Sequence, residues 1–286
     1  MAPQDIVNQR LTGERALFHS QDLAIRDSVF ADGESPLKHG ADLSLDRVVF
    51  QWKYPLWYAR NVQARDCTLL ETARSGIWYT DNVIFSDSTI AAPKTFRRSR
   101  GIKLERVSLP HASETLWNCA DIELHHVTAS GDYFAMNSQR IVVDGLDLTG
   151  NYAFDGGSQI EVRNSRLISK DAFWNCHDVV VRDSTIIGEY LAWNSSNLTF
   201  VNCVISSLQG LCYVDQLLMR GCRFIDTTLA FEYSTVDVEY LGSIDSIINP
   251  TSGRIVGQGV GQLIMDPDRI DPSRTTILDE GGAVIA

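Results

Sequence analysis

Several features that would identify a familiar class of protein are missing from this sequence of 286 residues. No apolar run reaches the ~18 residues that a membrane-spanning helix requires. There is no Gly-x-Gly-x-x-Gly, phosphate-binding loop, His-Glu-x-x-His or Gly-x-Ser-x-Gly motif, so no cofactor is expected. Basic residues are few: 25 Lys and Arg stand against 36 Asp and Glu, which gives a net charge of −11. Because an acidic surface repels phosphate groups, nucleic acids and membranes are not expected as partners.

The N-terminal residues lack the basic and apolar segments of a secretory signal, so we expect a cytoplasmic protein. Its six cysteines form no Cys-x-x-Cys pair and should be reduced in that compartment. They fall at repeat positions, which favours small buried side chains over a zinc or redox site. His19 and His39 occupy equivalent places in neighbouring repeats but lack a third ligand, so no metal site is predicted.

The dominant feature of the sequence is an apolar-x-apolar pair that recurs at steps of 19 to 21 residues. Such alternation is typical of a strand. A second alternating pair begins five residues later, after a residue that tolerates positive φ, such as Asp27, Asp66 or Asp87, which predicts a corner between two strands. A third apolar position lies six residues before each pair. The recurring pairs, called anchor pairs below, are Leu23/Ile25, Leu43/Leu45, Val62/Ala64, Val83/Phe85, Ile102/Leu104, Ile122/Leu124, Ile141/Val143, Ile160/Val162, Val179/Val181, Leu198/Phe200, Leu217/Met219 and Val236/Val238.

Three short strands per repeat predict an all-β fold, a right-handed parallel β-helix of about twelve coils. A leucine-rich repeat has a longer period, and a left-handed β-helix keeps strict hexads, which these steps do not. We predict that the solenoid spans residues 17–253. Because terminal coils expose strand edges and core, residues 1–16 should form an N-terminal cap and residues 254–286 a C-terminal cap or tail. Ile6, Val7 and Leu11 in the first of these segments have near-helical spacing.

The repeated phrases WNC, MNS, WNS, RDS and RNS, set on a coil of 19 residues, resemble an uncharacterised bacterial family known as a domain of unknown function. The resemblance covers roughly residues 12–270. It implies a pectin-lyase-like β-helix. It implies no established activity and no catalytic residues.

The position five residues before each anchor pair carries five of the six tryptophans together with charged residues. The residue just before it is apolar in every repeat and should face inward, so this position should face outward. Burial of unpaired Lys, Arg or Asp side chains would also be costly. We call this column the outer stripe. Its members are Phe18, Lys38, Trp57, Trp78, Arg97, Trp117, Met136, Asp155, Trp174, Trp193, Cys212 and Phe231.

Exposed indoles beside charged residues suit sugar rings, whose flat apolar faces stack on aromatic rings. We therefore predict a carbohydrate-active protein that binds an oligosaccharide or another polar small molecule along the stripe. Whether it is an enzyme stays open, with glycoside hydrolysis or a lyase reaction as the candidate chemistry. The alternatives are a non-catalytic scaffold whose stripe binds a partner or a second copy of the chain, and a stripe covered by the chain itself; an end cap could also mediate self-association. The candidate substrate-binding residues are Trp57, Trp78, Arg97, Arg98, Trp117, Asn118, Tyr133, Asn137, Tyr152, Trp174, Asn175, Trp193 and Asn194.

Asp155 is the odd residue in the stripe, because Gly156 and Gly157 follow it and open space beside a carboxylate. Glycoside hydrolysis uses two carboxyl groups that lie about 5–9.5 Å apart. Asp155 together with Glu114 or Asp171, one or two coils away, is the candidate catalytic pair. The alternative is a surface aspartate in a solvated turn.

Two further interpretations stay open at this point. A lyase would use Arg97, Arg98 or Lys94 to abstract a proton next to a substrate carboxylate. The asparagines that follow the stripe, such as Asn175 and Asn194, predict either a ladder of stacked amides or hydrogen-bond donors for substrate hydroxyls.

Overall fold

The computed structural model describes residues 4–285, so residues 1–3 of the predicted N-terminal cap and residue 286 of the predicted C-terminal cap lie outside the described residues. The chain divides into two compact units, residues 1–149 (unit 1) and residues 150–286 (unit 2). Both are right-handed parallel β-solenoids. The units together have about 14 turns, close to the twelve coils predicted, and the predicted fold class is confirmed.

Unit 1 repeats one long and one short strand per coil, and its last two long strands continue through the corner. A single turn of 3-10 helix spans Glu71–Ala73. The strands are β1 (Gln4–Val7), β2 (Arg10–Leu11), β3 (Gln21–Arg26), β4 (Val29–Phe30), β5 (Ala41–Asp46), β6 (Val49–Phe50), β7 (Arg60–Arg65), β8 (Thr68–Leu69), β9 (Asp81–Ser86), β10 (Thr89–Ile90), β11 (Arg100–Glu105), β12 (Ser108–Leu109), β13 (Ala120–Ser130) and β14 (Gln139–Thr149).

Unit 2 follows the same pattern as far as Phe224, after which Ser243–Ile248 and Gly259–Ile264 pair in a separate two-stranded sheet. A turn of 3-10 helix at Pro272–Arg274 precedes the last strand. The strands are β15 (Ser158–Arg163), β16 (Arg166–Ile168), β17 (His177–Arg182), β18 (Thr185–Ile187), β19 (Ser196–Val201), β20 (Val204–Ser206), β21 (Asp215–Phe224), β22 (Thr235–Leu241), β23 (Ser243–Ile248), β24 (Ser252–Val256), β25 (Gly259–Ile264) and β26 (Thr275–Leu278).

The anchor pairs build the core, as their spacing predicts. Leu43 lies directly on Leu23 of the preceding coil and under Val62 of the next, in parallel register. All three side chains are buried, because alternate residues of a strand point to opposite faces. The predicted corners also form: Asp27 and Asp87 have φ values of 49° and 51°, in the left-handed region that turns the chain between its strands.

In the segment predicted as the N-terminal cap, Gln4–Val7 and Arg10–Leu11 form strands despite the near-helical spacing of the apolar residues. Strand β1 pairs with β3, with Ile6 beside Ile25, and β2 pairs with β4. A helix this short is marginal, whereas pairing with a neighbouring coil satisfies the backbone donors and acceptors. Near the other end β24 pairs with β26, with Gly253 beside Thr275. Strand pairing therefore reaches into both segments that were predicted as caps.

All six cysteines are free and buried, as their repeat positions predict. Burial raises the pKa of Cys67 to about 11 and that of Cys119 to about 12. A thiol with so high a pKa is protonated at neutral pH and is a weak nucleophile. These side chains therefore serve as small core residues.

Candidate functional site

The indoles of the outer stripe lie at the surface of unit 1, whereas the residues just before them fill its interior. Leu56 and Ile77 are fully buried. Trp57 and Trp78, which follow them, are only half-buried. The inward and outward alternation inferred from the sequence therefore holds here.

From Lys38 to Trp117 the stripe of unit 1 is a continuous stack of rings and cations. The ring centroids of Trp57 and Trp78 lie 5.2 Å apart with an interplanar angle of 10°. Lys38 Nζ lies 5.6 Å from the centroid of Trp57. The guanidinium of Arg97 lies 5.2 Å from the Trp78 centroid and 4.6 Å from the Trp117 centroid. Both faces of Trp57 and Trp78 are therefore in contact with their neighbours, and these residues present ring edges to solvent.

Tyr133 also belongs to this stack, with its ring centroid 6.2 Å from that of Trp117. Two indole N–H groups are used by the protein itself. Trp57 Nε1 donates to the carbonyl oxygen of Ser75 at 2.6 Å, and Trp78 Nε1 donates to that of Lys94 at 2.8 Å. The ring faces and the indole N–H groups of Trp57 and Trp78 are thus already used in contacts within the protein.

Glu114, one of the candidate catalytic residues, lies in an ion cluster of unit 1. Lys94 Nζ lies 3.3 Å from its Oε1, and Arg97 Nη2 donates a hydrogen bond to its Oε2. Glu114 thus holds Arg97 of the stripe in place. Asp155 belongs to unit 2, so the pairing of Glu114 with Asp155 stays a prediction.

Three of the predicted binding residues of unit 1 are exposed corner residues. Arg98, Asn118 and Asn137 have φ values of 48°, 55° and 52°. Among the described residues their side chains make no hydrogen bond, so the amide ladder does not form at Asn118 and Asn137. Their side chains are available to a ligand, and their role as binding residues stays a prediction.

In unit 2 Asp155 does not project into solvent as the stripe position predicts; it is only 9% exposed. Asn175 Nδ2 donates a hydrogen bond of 3.0 Å to Asp155 Oδ1, and Asn194 Nδ2 donates one of 2.8 Å to Asn175 Oδ1. Gly156 occupies the corner position with a φ of 68° and no side chain, which leaves room for this contact. The amide ladder is confirmed for Asn175 and Asn194, and Asp155 forms its end.

The outward alternation also fails at the last two stripe positions, because Cys212 and Phe231 are fully buried. The thiol of Cys212 lies 3.5 Å from the carbonyl oxygen of Leu229. Phe231, at the stripe position, adopts the left-handed conformation with a φ of 71°. In earlier coils the residue just before the stripe position adopts this conformation instead; Phe173, which precedes Trp174, has a φ of 56°. This change of backbone conformation turns the Phe231 side chain inward.

Asp171 lies close to Asp155 in unit 2 and is 3% exposed. Burial raises the pKa of Asp171, and the negative charges of Glu189 and Asp155 act in the same direction. Lys170 and a hydrogen bond from Tyr152 oppose the increase in this pKa. Two of the three candidate catalytic carboxyl groups therefore lie close enough to interact electrostatically.

Trp174 packs against Tyr152, the hydrogen-bond partner of Asp171, with the two ring centroids 6.3 Å apart. Its backbone carbonyl oxygen accepts a hydrogen bond of 2.8 Å from the N–H of Gly156, the residue after Asp155. Its indole N–H has no hydrogen-bond partner among the described residues. Trp193, by contrast, donates its N–H to the carbonyl oxygen of Gln209 and packs edge-on against Tyr190 at 5.3 Å. Trp174 is thus the stripe tryptophan of unit 2 that keeps a donor for a ligand. We define Tyr152, Asp155, Asp171, Trp174 and Asn175 as the carboxylate cluster.

A family profile described as "Protein of unknown function (DUF3737)" matches residues 4–278. The chain belongs to this family. The resemblance to a domain of unknown function with a β-helix fold, inferred from the repeated phrases, is thereby confirmed. A search of curated proteins finds no match to the sequence.

Several solved structures are similar to this DUF3737 chain at low identity. A tailspike protein of the E. coli bacteriophage HK620, in complex with a pentasaccharide, is 8% identical with a TM-score of 0.44, over 96% of this chain and 74% of that one. The A-module of the mannuronan C-5 epimerase AlgE4 of Azotobacter vinelandii is 10% identical with a TM-score of 0.32, over 96% and 91%. PfbA, a surface adhesin of Streptococcus pneumoniae, is 10% identical with a TM-score of 0.29, over 93% and 74%.

The DUF3737 chain also has a groove outside all the sites predicted from the sequence. It has a volume of about 660 Å³ and runs over the outer face of the long strands of unit 1. None of the predicted site residues lines it. The signal for it is the residue just before each anchor pair, which is Asp or Asn at positions such as Asp42, Asn61 and Asn82.

No group of three or more His, Cys, Asp or Glu residues within residues 4–285 could hold a metal ion. The imidazoles of His19 and His39 instead stack on each other, with centroids 5.0 Å apart. In the same range no helix has the length and apolar character needed to cross a membrane.

Proposed function

We propose that this protein binds a neutral oligosaccharide at the carboxylate cluster of unit 2. The observation that carries the proposal is the pair of buried, interacting carboxyl groups, Asp155 and Asp171, beside the unused indole donor of Trp174. A buried carboxyl group with a perturbed pKa, which Asp171 has, occurs more often at functional sites than elsewhere. In the same place a half-exposed indole offers an apolar edge and a donor for a sugar hydroxyl.

The charge around the cluster decides which sugars are suitable. Asp155, Asp171 and Glu189 are acidic, and the nearby Lys170 is paired with Glu189 at 3.4 Å. An anionic uronate chain would be repelled here, because like charges close together cost free energy in a partly buried site. A neutral glycan meets no such penalty and can donate hydroxyl hydrogens to the carboxylate oxygens.

The same two carboxyl groups are suited to hydrolysis. The raised pKa of Asp171 favours its protonated form, which can donate a proton to the glycosidic oxygen as the C–O bond breaks. Asp155, whose Oδ1 accepts a hydrogen bond from the amide of Asn175, is the group placed to accept a proton from the attacking water. The products are a free reducing end and an alcohol, so one water is consumed and both carboxyl groups return to their starting states after proton exchange.

Binding is tested by calorimetry with cellohexaose, mannohexaose and chitohexaose as neutral probes and hexagalacturonate as the anionic one. We expect at least one neutral probe to bind the wild type and the Trp52→Ala control, in which an exposed tryptophan of unit 1 is removed. Trp174→Ala should weaken that binding by at least about tenfold. Equal affinities of the two variants, or tighter binding of hexagalacturonate, would overturn the proposal.

Hydrolysis is tested by the release of reducing ends from the probe that binds. Asp155→Asn and Asp171→Asn should each abolish release, while Asp183→Asn, which changes an exposed aspartate of unit 2, should not. Binding without release in the wild type would leave the binding function standing and refute the hydrolytic step.

A second candidate function is a scaffold whose stripe in unit 1 binds a second copy of the chain. It is favoured by the contacts on both faces of Trp57 and Trp78, which leave no free face for a sugar ring, and by the exposed ring of Tyr58 beside them. Sedimentation of the wild type over a range of concentrations tests it. Self-association that Tyr58→Ser abolishes would support the scaffold, and a monomer at every concentration would exclude it.

A further inference from the structure

The groove of unit 1 carries a second inference, which depends on none of the residues of the carboxylate cluster. Its floor is the outward column of the long strands, in which each residue lies beside its equivalent in the next coil. Its wall is the column of left-handed corner residues just before the anchor pairs. We call it the polar groove. Its polar lining includes Gln63, Asn82, Lys103, Asp121, Glu123 and Arg140.

The first part of the wall is a ladder of side-chain amides. Asn61 Nδ2 donates to Asp42 Oδ1 at 2.8 Å, and Asn82 Nδ2 donates to Asn61 Oδ1 at 3.1 Å. The three residues have φ values of 55°, 52° and 57°, a conformation that Asp and Asn adopt more readily than other side-chain-bearing residues. The ladder uses the amide hydrogens of each asparagine and turns its oxygen towards the next coil.

The ladder is interrupted at the next coil by Gly101. This residue has a φ of 66°, and a Cβ atom added to it would lie 2.6 Å from Asn82 Oδ1. No described residue therefore donates a hydrogen bond to Asn82 Oδ1. Beyond the gap, Arg140 and Asp121 form a bidentate ion pair, with distances of 2.6 and 3.1 Å. The wall thus has a notch one coil high, with a free acceptor at its edge.

The floor combines polar and apolar side chains. Parallel register places Gln63 beside Ile84, and Ile84 beside Lys103. Ile84 is 39% exposed and Val142, near the far end of the groove, is 42% exposed. The side-chain amide of Gln63 has no hydrogen-bond partner among the described residues. Free hydrogen-bonding groups and apolar surface therefore converge on one concave face.

The charges of the groove largely neutralise one another. Lys103 Nζ lies 3.8 Å from Glu123 Oε2, and Asp121 is paired with Arg140. The remaining acidic residue of the lining is Asp42, which accepts the amide of Asn61. Since the groove offers no unpaired cation and little net charge, its electrostatics match a neutral occupant better than an ionic one.

We infer that the polar groove binds an extended neutral oligosaccharide, whose sugar residues follow the coils and whose ring substituent enters the notch at Gly101. Coils repeat at about 4.8 Å, a spacing close to the length of one sugar in an extended chain. A peptide strand advances about 3.3 Å per residue, so its residues would not stay in register with the coils. Ile84 and Val142 contact the apolar faces of the sugars, and Gln63 and Asn82 bind their hydroxyls. The volume of about 660 Å³ is that of a typical ligand site.

The test is an NMR titration of isotope-labelled protein with cellohexaose, mannohexaose and chitohexaose. At least one probe should shift the side-chain amide signals of Gln63 and Asn82. Gly101→Asn should fill the notch without loss of folding, because asparagine suits this conformation at the equivalent position 82, and should weaken binding at the groove by at least about tenfold.

Gly221→Asn is the matched control. Gly221 also interrupts a corner ladder, with a φ of 63°, and a Cβ atom added to it would lie 2.7 Å from Asn202 Oδ1. It belongs to unit 2 and is not among the residues that line the groove. This variant should bind at the groove within about twofold of the wild type. Equal weakening in both variants, or no shift of Gln63 and Asn82 with any probe, would overturn the inference.

The two sites can be separated in the same experiment. Trp174→Ala should leave the shifts of Gln63 and Asn82 unchanged, and Gly101→Asn should leave the indole signal of Trp174 responsive. Loss of only one set of shifts identifies which of the two sites fails.

Discussion

The side-chain amide of Asn175 donates a hydrogen bond of 3.0 Å to the carboxylate of Asp155. This contact explains how a carboxyl group can be 9% exposed at a position where other coils carry a half-exposed tryptophan. The neighbouring corner residue, Gly156, has no side chain that could compete for the amide. Asp155 is therefore held in place by the ladder.

Removal of that donor should destabilise unit 2. Asn175→Ala leaves a buried carboxylate without its side-chain partner, which costs about 1–3 kcal/mol. Asn118→Ala is the control, because Asn118 has the same backbone conformation in unit 1 but no side-chain hydrogen bond among the described residues. Urea denaturation should show a loss of unfolding free energy in the first variant that exceeds the loss in the second. Equal losses would mean that backbone strain alone accounts for the effect.

The fold could be predicted in detail because each coil repeats the same few physical requirements. Two inward apolar residues define the long strand, and a residue that tolerates positive φ, such as Asp27 or Asp87, ends it. Each of these patterns lies within a few residues of sequence, and the prediction is strengthened because the same pattern recurs in coil after coil. The N-terminal coil was not predicted, because the few apolar residues near Ile6 fit a helical spacing as well as a strand.

The carboxyl group of Asp171 should titrate at a higher pH than that of Asp178. Burial raises the pKa of Asp171, while hydrogen bonds from Asn197 and His177 lower that of Asp178. A raised folded-state pKa means that the folded protein binds this proton more tightly than the unfolded chain does, so this group's contribution favours folding at low pH and is lost as pH rises through the folded pKa. Carbon-13 NMR of labelled aspartate side chains measures both titrations directly.

A matched denaturation series checks the sign of this effect. Relative to the wild type, Asp171→Asn should gain stability as pH rises through the Asp171 titration, because the variant has no carboxylate to desolvate. A stability difference between the two proteins that is independent of pH would show that Asp171 keeps its ordinary pKa.

The candidate sites could be predicted only in part, because they depend on contacts between coils. The sequence places Trp57, Trp78 and Arg97 in one outward column, but it does not tell whether their faces meet a ligand or one another. In the structure they meet one another. The polar groove could not be predicted from the sequence for a related reason. Residues such as Gln63 and Lys103 are ordinary surface residues, and the concave face they share becomes visible only when the register between coils is known.

The six thiols should resist modification while the protein is folded. Each is buried, and burial raises the pKa of Cys212, like that of Cys119, to about 12. A hydrogen bond with Cys203 lowers the pKa of Cys222, so the protection of this thiol rests on its burial. Since the thiolate is the reactive species, Ellman's reagent should modify less than one thiol per chain in native buffer and all six in urea. Fast stoichiometric reaction of one thiol in native buffer would show a local opening of the corresponding coil.

Arg97 should stabilise unit 1 through its place between two indoles. Its guanidinium lies 5.2 Å from the centroid of Trp78 and 4.6 Å from that of Trp117, and its Nη2 is bonded to Glu114. A cation over an aromatic ring contributes about 0.5–1 kcal/mol at exposed sites and more when it is desolvated. Arg97→Ala should therefore lower the free energy of unfolding by about 1–3 kcal/mol and change the tryptophan fluorescence.

Arg98→Ala is the matched control and should change neither the free energy of unfolding nor the fluorescence. It removes a neighbouring exposed guanidinium that makes no side-chain hydrogen bond among the described residues. If both variants unfold at the same urea concentration as the wild type, the stack of rings and cations does not contribute to stability, and its residues are then more readily explained by binding.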